Sequence, residues 1–354
     1  MILNKLSKEN TLYYKGIAIL FIMLHNFLHW IPPIIGQNEQ EFTKFRIENY
    51  FEIISVYPEY IIQLSISLFG HYGVQIFLFL SAYGLYIKYE KNKLNYLKFL
   101  KERVFKLYPA FLVAIFLWLI YIGLLSGKGI SHLFLENIES IIYKILGISN
   151  FIEGELYSLN GPWWFISLIL QFYIIFPILL KIDRKYSQYG LLILSICSLI
   201  LGALINLNIP ITGTILVHIP EVSLGIYMAR KGTIKINNYT LFMIFSIFVL
   251  SNYIYTIWYL SFITATLIYL IFINLINYKL NDFFIFFGKI SMYLFLINGF
   301  LRYPLVAYAK HIDKWHISLF LSIVFVLYVS FISLIIYYIF NKITDSPKKE
   351  KNQA

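Results

Sequence analysis

Charge is scarce in this sequence. Only 13% of its 354 residues are Asp, Glu, Lys or Arg, while 59% are hydrophobic and 19% aromatic. Soluble domains carry about 25% charged residues, so a water-covered surface is excluded for most of the chain. Cysteine is nearly absent: Cys197 stands alone. That excludes an intramolecular disulfide and any cysteine-based metal cluster. No His, Asp and Glu group has metal-ligand spacing either, and no metal is expected. Internal repeats, low-complexity tracts and loops long enough to hold a soluble domain are missing too. The chain therefore reads as one membrane domain over 1–354, with a short polar tail at about 342–354. A cleavable signal is also lacking. Lys5 and Lys8 precede an apolar stretch, but no small-residue cleavage site follows, and His25, Asn26 and His29 interrupt it. The stretch is expected to stay as a first helix.

What is present fits lipid. Mean hydropathy is +0.71, and apolar runs long enough to cross a bilayer recur at 13–31, 70–88, 107–126, 163–181, 189–206, 212–229, 238–254, 256–277, 284–303 and 317–341. Segments 50–66 and 133–149 are shorter and carry charge, so they read as interfacial or re-entrant. The expected fold is an all-α integral membrane bundle of about ten transmembrane helices. The net charge of +11 sits in clusters between apolar runs rather than on a folded basic surface, which argues against a nucleic-acid partner. With the N-terminus inside, 22 of the 29 Lys and Arg residues fall on inside segments and 7 outside. This asymmetry predicts both termini cytoplasmic.

Polar side chains inside apolar spans are costly and point to function. His25 lies deep in the first helix, where a neutral imidazole in low dielectric is a good general base. His29, four residues on and beside Trp30, reads as an interfacial histidine. Arg103 and Lys106 share one helix face at the opening of the third span, with Pro109 in its first turn. They anchor the helix inside or hold a phosphate. Gln75 and Ser81 either bridge helices or meet a substrate. Trp163 and Trp164 follow Gly161-Pro162; they are belt residues or a wall for a sugar ring. Glu221, after Pro220 in the middle of the sixth span, is paired with a base such as His218, neutral, or part of a site. Asn298, deep in the ninth span, donates to a substrate or ties helices together.

Taken in order, these pieces resemble the membrane acyltransferase 3 family of bacterial O-acyltransferases. Lys15, Gly16 and His25 are similar to its first-helix motif, and the stretch from Gly73 through Gln75 to Ser81 to its second. Arg103, Lys106 and Pro109 resemble its Arg-x-x-Arg with following Pro. Pro162, Trp163, Trp164 and Phe165, with Phe172, Tyr173 and Pro177, resemble its Trp-containing helix. Pro220, Glu221 and Gly225 resemble its Pro-Glu motif, and Gly288, Ser291, Tyr293 and Leu296 its late motif. The likeness spans about residues 10–300. Asn26 stands at the family's usual His position, Lys106 at its second Arg, Gln75 where Asp is common, and Asn298 where a second His often ends the late motif.

The resemblance implies transfer of an acyl group, usually acetyl, from cytoplasmic acyl-CoA to a carbohydrate hydroxyl of the cell envelope, in the bacterial inner membrane. It implies catalytic roles for His25, Asn26 and Glu221, and donor contacts from Lys15, Arg103 and Lys106. Acceptor contacts would come from Gln75, Ser81, Trp163, Trp164, Tyr173 and Asn298. Two other readings stand beside it: a transporter or flippase of a lipid-linked glycan, and a non-catalytic envelope assembly protein.

Overall fold

The structure, a computed structural model, describes residues 2–36, 39–205, 208–275 and 281–351. Lys279, the ends of the spans read at 189–206 and 256–277, and the last residues of the polar tail lie outside them. The helices are α1 Lys8–Leu28, α2 Lys44–Val56, α3 Ile61–Phe69, α4 Gly73–Tyr89, α5 Tyr96–Ser126, α6 Ile130–Glu136 and α7 Ile138–Leu146. After them come α8 Trp164–Leu204, α9 Ile219–Lys231, α10 Asn238–Tyr253, α11 Leu260–Leu275, α12 Asn281–Leu301, α13 Tyr303–Ile312 and α14 Trp315–Lys351. A short antiparallel ribbon joins β1 Ile2–Leu3 to β2 Ile234–Lys235.

Among the described residues, six helical stretches are long and apolar enough to cross a membrane: Lys8–Leu28, Pro58–Tyr89, Tyr96–Ser126, Gly161–Leu204, Asp282–Leu301 and Trp315–Phe340. About ten crossings were expected, and the difference has two sources. Two expected spans lie within α8, which breaks at Ser187 (φ 57°, ψ −152°). Its second half folds back, so that a Cβ on Gly190 would stand 2.8 Å from Ile182. Three more expected spans correspond to α9, with 13 residues, and α10 and α11, with 16 each. A 16-residue helix rises about 24 Å, short of a ~30 Å hydrocarbon core.

Polar contacts sort the connections onto two faces. On one, β1 pairs with β2, Arg184 donates to the Tyr89 and Asn92 carbonyls, and Arg230 donates to Ser187 and Gln188 and pairs with Asp183. On the other, Arg46 donates to the Gly36 carbonyl, Gln63 to that of Pro32, Thr212 to that of Gln40, and Lys144 to those of Glu155 and Leu156. The first face carries the N-terminus.

At the centre stands α1. Ser7 caps it, accepting from the Asn10 amide while Asn10 accepts from the Ser7 amide, a reciprocal cap that satisfies two orphan donors. It crosses α12 in backbone contact. A Cβ on Gly16 would fall 1.8 Å from the Phe284 carbonyl oxygen, and one on Gly288 2.0 Å from that of Leu12. Only glycine permits this approach, the small-residue packing expected between helices in lipid. Around this pair, α5, α10 and α14 turn exposed Phe, Leu, Ile and Val outward.

Three local readings are corrected. The helix carrying Arg103 begins at Tyr96, capped by the Asn95 side chain, so Pro109 is inside α5 and not in its first turn. The missing N–H of Pro109 costs one intrahelical bond. Glu221 lies in the first turn of α9 with Pro220 at the helix start, where the dipole favours a carboxylate and proline is tolerated. The segment read as 50–66 divides between α2 and α3, and α3 runs through the turn Gly70–Tyr72 into α4.

Candidate active site

The last turn of α1 brings His25 to full burial. Its Nδ1 lies 2.9 Å from the Ser67 carbonyl oxygen and its Nε2 3.0 Å from Glu39 Oε1. A carbonyl only accepts, so Nδ1 carries a hydrogen and donates it. That fixes the tautomer and leaves Nε2 as the basic nitrogen. An ionised carboxylate also only accepts, so the contact at Nε2 needs one further proton shared by the pair. Burial pushes the Glu39 carboxyl up, but the hydrogen bond and charge of His25, with His71 and Trp164, outweigh it and hold the group below the usual carboxylate range. The pair therefore shares one proton between Nε2 and Glu39 Oε1.

Three further groups surround it. Trp164 Nε1 donates to Glu39 Oε2 at 2.8 Å. His29 stacks on His25 with ring centroids 4.5 Å apart, and its Nδ1 donates to the His25 carbonyl. His71 stands 5.4 Å from His25, ring to ring. One residue on, Asn26 donates to Asn298 Oδ1 at 2.7 Å, while Asn298 donates to the Leu294 and Phe295 carbonyls. Arg302 Nη1 donates to the Asn26 carbonyl at 2.6 Å. These bonds fasten α1 to α12 at the level of His25.

A second His–Glu pair lies elsewhere. His218 Nδ1 is 3.2 Å from Glu221 Oε1, and its Nε2 is 2.9 Å from the Thr212 carbonyl. Both side chains are buried, and Glu221 Oε2 has no partner among the described residues. Thr212 Oγ1 donates to the Gln40 carbonyl at 2.9 Å, so this pair touches the loop that carries Glu39.

The cationic residues gather at the end of the bundle nearer the N-terminus. Lys106 is within electrostatic reach of Lys15, and Arg103 of Lys106 and Tyr173. The Arg103 guanidinium lies 5.7 Å from the Phe99 ring centre, and Tyr173 packs edge-on against the same ring. Such a cluster can hold phosphates. Lys15 and His25 are separated by about 15 Å of helix at 1.5 Å per residue.

His25, Asn26, Asn298 and Trp164 thus come together. Tyr173 joins the cations instead, and Glu221 lies in the second pair. Trp163 is fully buried, donates to the Leu296 carbonyl at 2.8 Å and meets Phe111 edge-on. Gln75 is buried on α4 and Ser81 half-buried two turns further along, neither hydrogen-bonded to the His25 pair. The sequence reading missed Glu39, His71 and Arg302 as site residues. Glu39 is one of two glutamates in a polar loop after Pro33, and nothing local distinguishes it from Glu41.

Over residues 13–340 the chain matches the family model described as an acyltransferase domain. No curated protein and no solved structure matches it.

Proposed function

The chain belongs to the acyltransferase 3 family and is a multi-pass membrane acyltransferase; from that premise we propose that it moves an acetyl group from cytoplasmic acetyl-CoA to a hydroxyl of an envelope carbohydrate, across the bacterial inner membrane. In this reading the chain crosses ten times, with α9, α10, α11 and both halves of α8 as crossings and both termini cytoplasmic. The positive-inside excess on the N-terminal face supports that sidedness.

The observation that carries the reading is the His25 pair, a buried imidazole with a fixed tautomer and a carboxylate at Nε2. Glu39 Oε1 occupies the point where an acceptor oxygen would have to stand. The acceptor hydroxyl displaces Glu39 from Nε2; the proton shared by the pair is released to water as the pair opens, and the freed Nε2 takes the hydroxyl proton as its oxygen attacks the thioester carbonyl. The new C–O ester bond forms, the C–S bond breaks, and the imidazolium returns the proton to the leaving thiolate. Glu39, moved aside but close, stabilises the imidazolium, and the Ser67 carbonyl keeps Nδ1 protonated throughout. Lys15, Arg103 and Lys106 neutralise the CoA phosphates, and the pantetheine arm reaches inward along α1. Asn26, with one amide hydrogen left beyond its bond to Asn298, sits beside His25 as a donor for the oxyanion, and Asn298 orients it. Glu221 holds His218 beneath the Glu39 loop and does not touch substrate. No metal enters the reaction.

The test uses purified protein in nanodiscs with [14C]acetyl-CoA and envelope glycan from a deletion strain. Label on the glycan, with release of free CoA, is the expected result. Neither label nor CoA release would contradict the reading and favour the glycan transporter.

A further inference from the structure

On the face opposite the N-terminus, a cleft of about 430 Å3 opens between the loop at 40–42, the turn at 208–212 and the segment before α11. Its volume lies in the ~300–1,000 Å3 range of small-molecule sites. Phe42, Tyr255 and Trp258 give it aromatic faces, and Gln40, Glu41 and Asn208 give it polar ones. Gln40 lines the cleft at 5% exposure, and among the described residues its buried Oε1 has no partner. Leaving such a group unpaired costs about 1–3 kcal/mol, so turning the Gln40 amide toward a hydroxyl donor in the cleft is favourable. Among the described residues no Lys or Arg lines the cleft, and the one charge there is the Glu41 carboxylate. A phosphate or CoA is therefore a poor occupant, as is a phospholipid headgroup. An uncharged ring with C–H faces and hydroxyl donors fits all of these groups.

The cleft also adjoins the surroundings of His25. Glu41, Phe42 and Trp258 are shared with a gap of about 30 Å3 that continues to Arg46 and His71, and His71 stands 5.4 Å from His25. Gln40 itself follows Glu39, whose carboxylate closes Nε2. Filling the cleft thus bears on the very loop that must move for a hydroxyl to reach the base.

We infer that this aromatic cleft docks the sugar unit whose hydroxyl is acylated, with Gln40, Glu41 and Asn208 reading its hydroxyls and Tyr255 and Trp258 its faces. The assignment rests on the acyltransfer reading above. A ligand here engages the 40–42 loop, so binding and displacement of Glu39 are coupled.

Tyr255→Ala, Asn208→Ala and Gln40→Ala test it in the nanodisc assay, with [14C]acetyl-CoA as donor and deletion-strain glycan as acceptor. Tyr255 is 54% exposed, so its truncation leaves the fold intact. The expected result is an acceptor KM raised about tenfold in Tyr255→Ala, with the acetyl-CoA KM changed by less than about twofold. Acceptor KM values unchanged in all three variants overturn the assignment. So does a parallel rise of both KM values, since the cleft serves only the acceptor. Wild-type protein that transfers no label overturns the acyltransfer reading itself, and this assignment falls with it.

Discussion

Among the described residues, two His–Glu pairs lie inside this bundle, built to one chemical plan and held in opposite ways. In each, one ring nitrogen donates to a backbone carbonyl and the other faces a carboxylate. His218 and Glu221 are three residues apart at the start of α9, with the His218 ring stacked on Phe262. One helical turn fixes both, and neither can leave the other. His25 ends α1, while Glu39 comes from irregular chain 14 residues on and is steadied by Trp164. A carboxylate on a loop can move by the width of an oxygen atom; one on a helix cannot. On the proposed mechanism, the difference teaches that a His–Glu pair becomes reactive when one partner is free to be exchanged for substrate.

The largest effect that would sharpen this contrast is His25→Gln, which keeps the shape and removes the base. Transfer in the nanodisc assay is expected to fall about 1,000-fold; His218→Gln should cost less than about tenfold. Equal losses would erase the distinction. Next comes Glu221→Ala. Removing one partner of a buried pair costs about 3 kcal/mol, read as a lower denaturation temperature in detergent, while transfer per folded molecule survives at low temperature. Glu39→Gln should show the converse. Its denaturation temperature falls less than that of Glu221→Ala, and kcat falls about 10- to 100-fold through loss of the charged partner of the imidazolium.

The contrast was partly legible in the sequence. Membrane residence, the central helix with His25, and the cationic trio followed from polar residues interrupting apolar runs, because lipid makes every such residue expensive. The short helices α9 and α10 were harder, since apolar runs continue past the 3-10 turns and loops that end them. Glu39 was illegible for a different reason. Its role comes from the way the chain after α1 folds back over His25, a long-range placement that local pattern does not encode. Trp164 was noticed for its ring, yet in the structure its N–H makes the telling contact, and only the position of Glu39 explains that.

Smaller effects probe the same loop. Trp164→Phe removes one donor from Glu39 and should lower kcat by about threefold to tenfold, consistent with a hydrogen bond worth roughly 1 kcal/mol. The pH dependence has a definite sign. Glu39 is held below its ordinary value of 4.5, so its pairing contributes stability that is present above that value. The contribution is lost as pH falls through the lower folded value. Thermal denaturation of wild type and Glu39→Gln should therefore differ most near neutral pH and converge in acid. A gap that widens in acid would contradict the ionised Glu39 carboxylate.

The most direct test of the central claim is made in cells. Mass spectrometry of the envelope glycan is run in a deletion strain complemented with wild type, His25→Gln or His218→Gln, each present in the membrane at equal level. Loss of the acetyl mass increment with His25→Gln and its retention with His218→Gln is the predicted result; a full increment with His25→Gln would contradict it.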